Sequence, residues 1–116
     1  MIVGGLFLVH PDEMAAIVEL SLDTPLARGD IRTVYGGLEI GIAALTLAWC
    51  ARAATIRAAT VLHLATWGGL AGGRAVSLAL SADPAASGTG LFGLELIGVT
   101  LGVVALLALR APRSAG

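Results

Sequence analysis

Long apolar segments with very few charged residues constrain this chain more than any other feature of its sequence. The clearest three run over about residues 31–50, 57–80 and 89–110. Only 13% of the 116 residues are charged, whereas an ordinary soluble domain has about 25%. A helix needs about 20 apolar residues to cross a bilayer core of about 30 Å, so the chain has room for at most four spans. The sequence therefore predicts an all-α integral membrane protein with a single domain.

The amino-terminal segment is less regular than the other three. Its apolar run ends before His10, which is too short to cross the bilayer core. Pro11 suits the first turn of a helix, and Asp12 and Glu13 suit a helix start. We favour a Pro-kinked first span over about residues 1–22; the alternative is a short membrane-entering segment followed by an interfacial helix. The segment lacks the features of a signal peptide, and we expect the natural reading frame to begin upstream.

Short connections favour antiparallel packing of neighbouring spans into a four-helix bundle. The Asp-Pro pair at 83–84 separates the last two spans because proline disfavours helix continuation. Arg52 and Arg57 lie in the connection between the second and third spans, and Arg110 and Arg113 follow the fourth. Short cytoplasmic loops carry an excess of positive residues. We therefore expect a multi-pass protein with the Arg52/Arg57 loop and the carboxyl terminus in the cytoplasm.

Polar side chains form a stripe near the start of the second predicted span. Arg32, Tyr35 and Glu39 have the spacing i, i+3 and i+7, which places them on one face of an α-helix. A charge at the bilayer centre costs about 2.5–3.5 kcal/mol on insertion scales, so it needs a partner or a water-lined site. Arg32 could instead extend to the membrane interface.

A second stripe on the third span carries His63, Trp67 and Arg74, and the fourth span carries Glu95 at a similar depth. Two arginines and two glutamates at one level would form a neutral cluster in the outer half of the bundle. Such a cluster binds a ligand or, alternatively, only fixes helix register; His63 is alternatively a packing residue. The predicted ligand-binding residues are Arg32, Tyr35, Glu39, His63, Trp67, Arg74 and Glu95.

Other residue types exclude several classes of function. Seven arginines and no lysine oppose eight acidic residues, so the net charge of -1 gives no reason to expect nucleic-acid binding. Cys50 is the single cysteine and cannot form an internal disulfide. No second histidine lies at metal-ligand spacing from His63, so we expect no metal site and no cofactor.

Glycines four residues apart recur in three of the predicted spans. Small residues at this spacing let helices approach closely in lipid, which favours a tight bundle and a homo-oligomer. The four pairs are Gly37 and Gly41, Gly68 and Gly72, Gly69 and Gly73, and Gly98 and Gly102.

At the stretches DIRTVYGGLEIGIA and GGRAVSLALSADP, the chain resembles the small bacterial membrane proteins of domain of unknown function family 4345. The resemblance covers about residues 5–110 and implies a four-helix bundle in the bacterial inner membrane, broadly similar to DoxX-like proteins. It implies no established reaction. The matching residues are Arg32, Tyr35, Gly36, Gly37, Glu39 and Gly41, then Gly73, Arg74 and Ser77, and finally Glu95.

Three hypotheses of function follow. The leading one is a non-enzymatic membrane protein that binds a small lipophilic or amphipathic molecule, or serves as an accessory membrane subunit. The second is a small proton-coupled exporter similar to the small multidrug resistance class, with Glu39 as its membrane carboxylate; that class places its key glutamate in the first helix, which is unlike this chain. The third is a lipid-modifying membrane enzyme with Glu39 or Glu95 as acid or base and Arg74 as oxyanion partner.

Overall fold

The described residues, 1–82 and 88–110, form five helices and no strands in the computed structural model. This confirms the predicted all-α class. The predictions made for Asp83, Pro84 and Arg113 lie outside the described residues. The helices are α1 (Ile2–Val9), α2 (Pro11–Ile17), α3 (Pro25–Cys50), α4 (Ile56–Leu80) and α5 (Thr89–Ala108).

The chain divides into two compact units. The amino-terminal unit comprises Met1–Ala48 and contains α1, α2 and most of α3. The carboxyl-terminal unit comprises Trp49–Gly116 and contains α4 and α5.

The first 22 residues form two short helices where the sequence favoured one kinked helix. His10 separates them, with φ −122° and ψ 58°, because a proline clashes with a helical conformation of the preceding residue. Pro11 occupies the first turn of α2 together with Asp12 and Glu13, as predicted. After α2, Glu19 adopts a left-handed conformation with φ 57°. At about 1.5 Å per residue, the eight residues of α1 extend about 12 Å.

Helix α3 begins earlier than predicted and contains an unusual segment. The Thr24 hydroxyl accepts a hydrogen bond from the Ala27 N–H at 3.1 Å and caps the helix start at Pro25, six residues before the predicted start at residue 31. Over Arg32–Leu38 the backbone is π-helical, with hydrogen bonds from i to i+5. Such segments are rare and often accompany functional sites.

Two of the described helices, α3 and α5, are long and apolar enough to cross a membrane. They contain 26 and 20 residues, respectively, and this supports membrane association. Helix α4 contains 25 residues, but Arg57, His63, Arg74 and its glycines make it less apolar. Its crossing of a membrane therefore stays a prediction, as does that of the amino-terminal segment.

Helices α4 and α5 pack against each other as an antiparallel hairpin. Arg74, near the end of α4, meets Glu95 near the start of α5, while His63 meets Gly98 further along the pair. The α4–α5 contact is the largest between helices of the described residues. It holds four of the predicted site residues.

Candidate functional site

A partly buried ion pair connects the two helices of the hairpin. The Arg74 Nε donates to the Glu95 Oε1 at 2.8 Å. The Glu95 side chain is only 6% exposed and the Arg74 side chain 27%. The second carboxylate oxygen, Oε2, is buried and has no hydrogen-bond partner among the described residues. A buried acceptor without a partner costs about 1–3 kcal/mol, and more when it is charged, so this oxygen is a candidate ligand contact.

His63 and Trp67 line the same helix contact further from the ion pair. The His63 Nε2 lies 2.9 Å from the Gly98 carbonyl oxygen. A carbonyl oxygen only accepts, so this geometry requires the proton on Nε2. The rings of His63 and Trp67 are 6.0 Å apart between centroids. These contacts support the interpretation of His63 as a hydrogen-bonded packing residue.

Gly98 and Gly102 allow the close approach of α5 to α4. A methyl group added at Gly98 would overlap the indole ring of Trp67. One added at Gly102 would lie 2.7 Å from the Leu64 side chain. This predicted glycine pair therefore does lie at a tight helix contact, and it brings Trp67 and His63 against the α5 backbone.

The other predicted glycine pairs have open surroundings within the part of the chain that the structure describes. No described atom lies within 4 Å of a methyl group added at Gly41 or at any of the four α4 glycines. The homo-oligomer expected from these surfaces stays a prediction. The four α4 glycines are Gly68, Gly69, Gly72 and Gly73.

In the amino-terminal unit, Arg32 and Tyr35 both contact α1. The Arg32 Nε donates to the Leu8 carbonyl oxygen at 3.1 Å. That carbonyl lies at the end of α1, where the break at His10 removes the usual helical donor. The Tyr35 ring packs on Phe7 with centroids 5.2 Å apart. Arg32 therefore caps α1, which is a structural role.

Glu39 also lies beside α1 but makes no hydrogen bond or ion pair with it. Its Cβ would be 3.4 Å from a methyl group added at Gly4. The side chain is exposed and makes no hydrogen bond or ion pair with the described residues. Glu39 is thus a carboxylate without a hydrogen bond or ion pair to any described residue, inside a helix that is apolar enough to span a membrane.

Comparison with known proteins gives the family. The family described as Domain of unknown function (DUF4345) matches residues 1–106. The chain belongs to the DUF4345 family. No curated protein and no solved structure matches the chain. The DUF4345 assignment carries no activity in its description, so any function must be argued from the arrangement of side chains.

The DUF4345 fold contains two contacts that the sequence did not indicate. Gly4 and Gly36 pack closely: a methyl group added at Gly4 would lie 3.0 Å from the Gly36 carbonyl oxygen. Arg28 donates from Nη2 to the Asp12 carboxylate at 2.8 Å and ties the start of α3 to α2. Gly4 and Gly5 are adjacent small residues within the apolar run of α1, and small residues allow close helix contact, so they could have indicated the first contact.

The seven predicted site residues are thus assigned to two units of this DUF4345 chain. The hairpin brings together four of them, and the prediction that the remaining three join this group stays a prediction. Among the described residues, no group of three His, Cys, Asp or Glu side chains could hold a metal ion. The four hairpin residues are His63, Trp67, Arg74 and Glu95.

Proposed function

We propose that this protein is a multi-pass four-helix bundle of the bacterial inner membrane that binds a small amphipathic molecule at Arg74 and Glu95. The apolar character of α3 and α5 supports the membrane location. Arg52, Arg57 and Arg110 flank the spans on the side that we propose to be cytoplasmic.

The observation that carries the proposal is the free, buried oxygen of Glu95. Its Oε1 is occupied by Arg74, whereas Oε2 has no partner among the described residues. A ligand hydroxyl would donate to Oε2 and remove the cost of leaving this acceptor unsatisfied.

Arg74 supplies the second half of the recognition. Only its Nε is used in the pair with Glu95, and the terminal nitrogens of the guanidinium make no hydrogen bond with the described residues, so we propose that they donate to a ligand oxygen. A head group that both donates and accepts fits the two side chains. An apolar tail would lie along Leu91 and Leu94, which are exposed on α5.

The test measures thermal unfolding of the full-length protein in detergent with a monoacylglycerol, whose adjacent hydroxyls both donate and accept. We expect the monoacylglycerol to raise Tm more than a fatty acid of equal chain length, because the carboxylate of the fatty acid is repelled by Glu95. Glu95→Gln turns an amide donor toward the ligand, so this preference should reverse. Glu13→Gln, an exposed change in α2, is the control and should keep the original preference.

Two results would contradict the proposal. One is an equal rise in Tm for the protein with Glu95 and for Glu95→Gln. The other result applies if Glu95→Gln does not fold, in which case Arg74→Lys replaces it, because lysine keeps the charge but loses the two-pronged donor. The proposal is then contradicted if Arg74→Lys responds to the monoacylglycerol as the original protein does. Either result would leave the ion pair with only a structural role.

A second function, proton-coupled transport, is supported by Glu39. A carboxylate inside a candidate span normally has a partner or a water-lined path, and Glu39 makes no hydrogen bond or ion pair with the described residues. Proteoliposomes with a proton gradient would test this function with a cationic dye. Transport that disappears in Glu39→Gln and persists in Glu95→Gln would assign it to Glu39, and no transport of any dye by the unaltered protein would refute it.

A further inference from the structure

An open groove of about 650 Å³ lies at the other end of α4 from the ion pair. Its floor is one face of α4, formed by Ala58, Val61, Leu62 and Ala65, and Trp49 at the end of α3 closes one side. The spacing of three or four residues places these side chains on one helical face. The groove is therefore apolar, and an aromatic ring borders it on one side.

Arg57 lies at one end of this groove, and its charge has no partner among the described residues. It lines the groove and makes no hydrogen bond or ion pair with any described residue. No acidic residue occurs in the sequence from residue 40 to residue 82. Arg52 lies in the preceding connection and likewise makes no side-chain bond with described residues. The groove is therefore apolar along its length and positively charged at one end.

The length of the groove suits one leaflet of a membrane. From Arg57 to Ala65 the helix rises about 12 Å at about 1.5 Å per residue. Half of a bilayer core measures about 15 Å. Tryptophan is enriched at the level of the lipid head groups, which is where Trp49 would lie if α3 spans the membrane.

We propose that this groove binds one anionic phospholipid, with its phosphate paired to Arg57 and an acyl chain along Ala58, Val61 and Ala65. The inference depends on the membrane location proposed above and is independent of the ligand at Glu95. The unpaired charge of Arg57 selects the anionic head group, because a basic residue near the membrane surface attracts anionic lipid.

The test counts lipids retained by the full-length protein in native mass spectrometry. The probes are phosphatidylglycerol and phosphatidylcholine with identical acyl chains. We expect phosphatidylglycerol to be retained preferentially and Arg57→Gln to weaken its binding about fivefold. The matched control is Arg110→Gln, which removes the same charge at the end of α5, outside the groove, and should leave retention unchanged.

A second variant tests the apolar part of the groove. Ala58 is exposed, so Ala58→Phe should fold normally, fill the groove and reduce retention of phosphatidylglycerol. The proposal is wrong if the two lipids bind equally, or if Arg57→Gln and Arg110→Gln weaken binding equally. It is also wrong if Ala58→Phe changes the oligomeric state while lipid retention stays the same, because the groove would then be an interface between protein chains.

Discussion

Among the described residues, each unit of the protein contains one arginine–carboxylate pair, and the two pairs have the same nitrogen–oxygen distance. Arg28 with Asp12 and Arg74 with Glu95 both have a nitrogen–oxygen distance of 2.8 Å. Their surroundings differ: the side chains of the first pair are 40% and 57% exposed, and those of the second 27% and 6%. The exposure of the first pair gives water access to both side chains and so weakens their attraction. The second pair is largely shielded from water, and its remaining oxygen has no partner among the described residues, so equal geometry leads to unequal energetic roles.

The two units also differ in their numbers of charged residues. The sequence of the amino-terminal unit has two arginines and six acidic residues, whereas that of the carboxyl-terminal unit has five arginines and two acidic residues. Carboxylates are therefore scarce in the second unit. Glu95 pairs with Arg74, whereas Arg57 has no partner among the described residues, which is the basis of the proposed anion site.

The largest expected effect follows from breaking the buried pair. Arg74→Ala leaves the Glu95 carboxylate buried without a partner, which we expect to lower the free energy of unfolding by about 3–5 kcal/mol. Chemical unfolding in detergent measures this loss. A loss below about 1 kcal/mol, the range of exposed pairs, would show that lipid or water already satisfies Glu95.

The next largest effect concerns the helix contact beside the pair. Gly98→Ala forces a methyl group into the Trp67 ring, so we expect a loss of about 1–3 kcal/mol. Gly69→Ala, on the open face of α4, is the matched control and should be neutral or stabilising, because alanine favours helix more than glycine. Equal stability of the two variants would contradict the close packing of α4 and α5.

A smaller effect is expected from the cap on α1. Arg32→Gln removes the donor to the Leu8 carbonyl oxygen, and a net loss of about 0.5–1.5 kcal/mol should follow. Hydrogen exchange should show faster exchange of α1 amides in this variant. Arg52→Gln, which loses no hydrogen bond to a described side chain, should leave that exchange unchanged; faster exchange in both would mean that net charge, and not the cap, protects α1.

The smallest effect is expected for the exposed pair. Arg28→Ala should cost about 0.2–1 kcal/mol, and the difference from the unaltered protein should shrink at about 1 M salt, because salt weakens ion pairs between solvent-exposed charges. The comparison of unfolding at low and high salt checks this. A loss as large as that of Arg74→Ala would remove the distinction between the two pairs.

The sequence predicts the helices of the hairpin well because long, largely apolar segments end at polar connections. The predicted spans 57–80 and 89–110 compare with Ile56–Leu80 and Thr89–Ala108. The start of α3 differs from the predicted start because the helix begins at a capping residue, Thr24, followed by a proline. Both lie within polar sequence, so the apolar run does not mark this start. A kink at Pro11 and a break at His10 have the same sequence signal, so composition alone cannot separate them.

The candidate site is predictable only in part. Charge balance and depth indicate that Arg74 and Glu95 meet, but they do not reveal that one carboxylate oxygen stays free. The spacing of Arg32, Tyr35 and Glu39 assumes 3.6 residues per turn, whereas Arg32–Leu38 is π-helical. Hydrogen bonds from i to i+5 leave no mark on composition, and the approach of Gly4 to Gly36 joins residues far apart in sequence.

The π-helical segment also determines where α3 tolerates a change of length. Its turns hold more residues than those of an α-helix, so deleting one residue within Arg32–Leu38 returns the backbone to α-helical hydrogen bonding. The same deletion within Glu39–Cys50 rotates every later side chain by about 100° about the helix axis. Relatives that differ by one residue in this helix should therefore have gained or lost it in the π-helical segment.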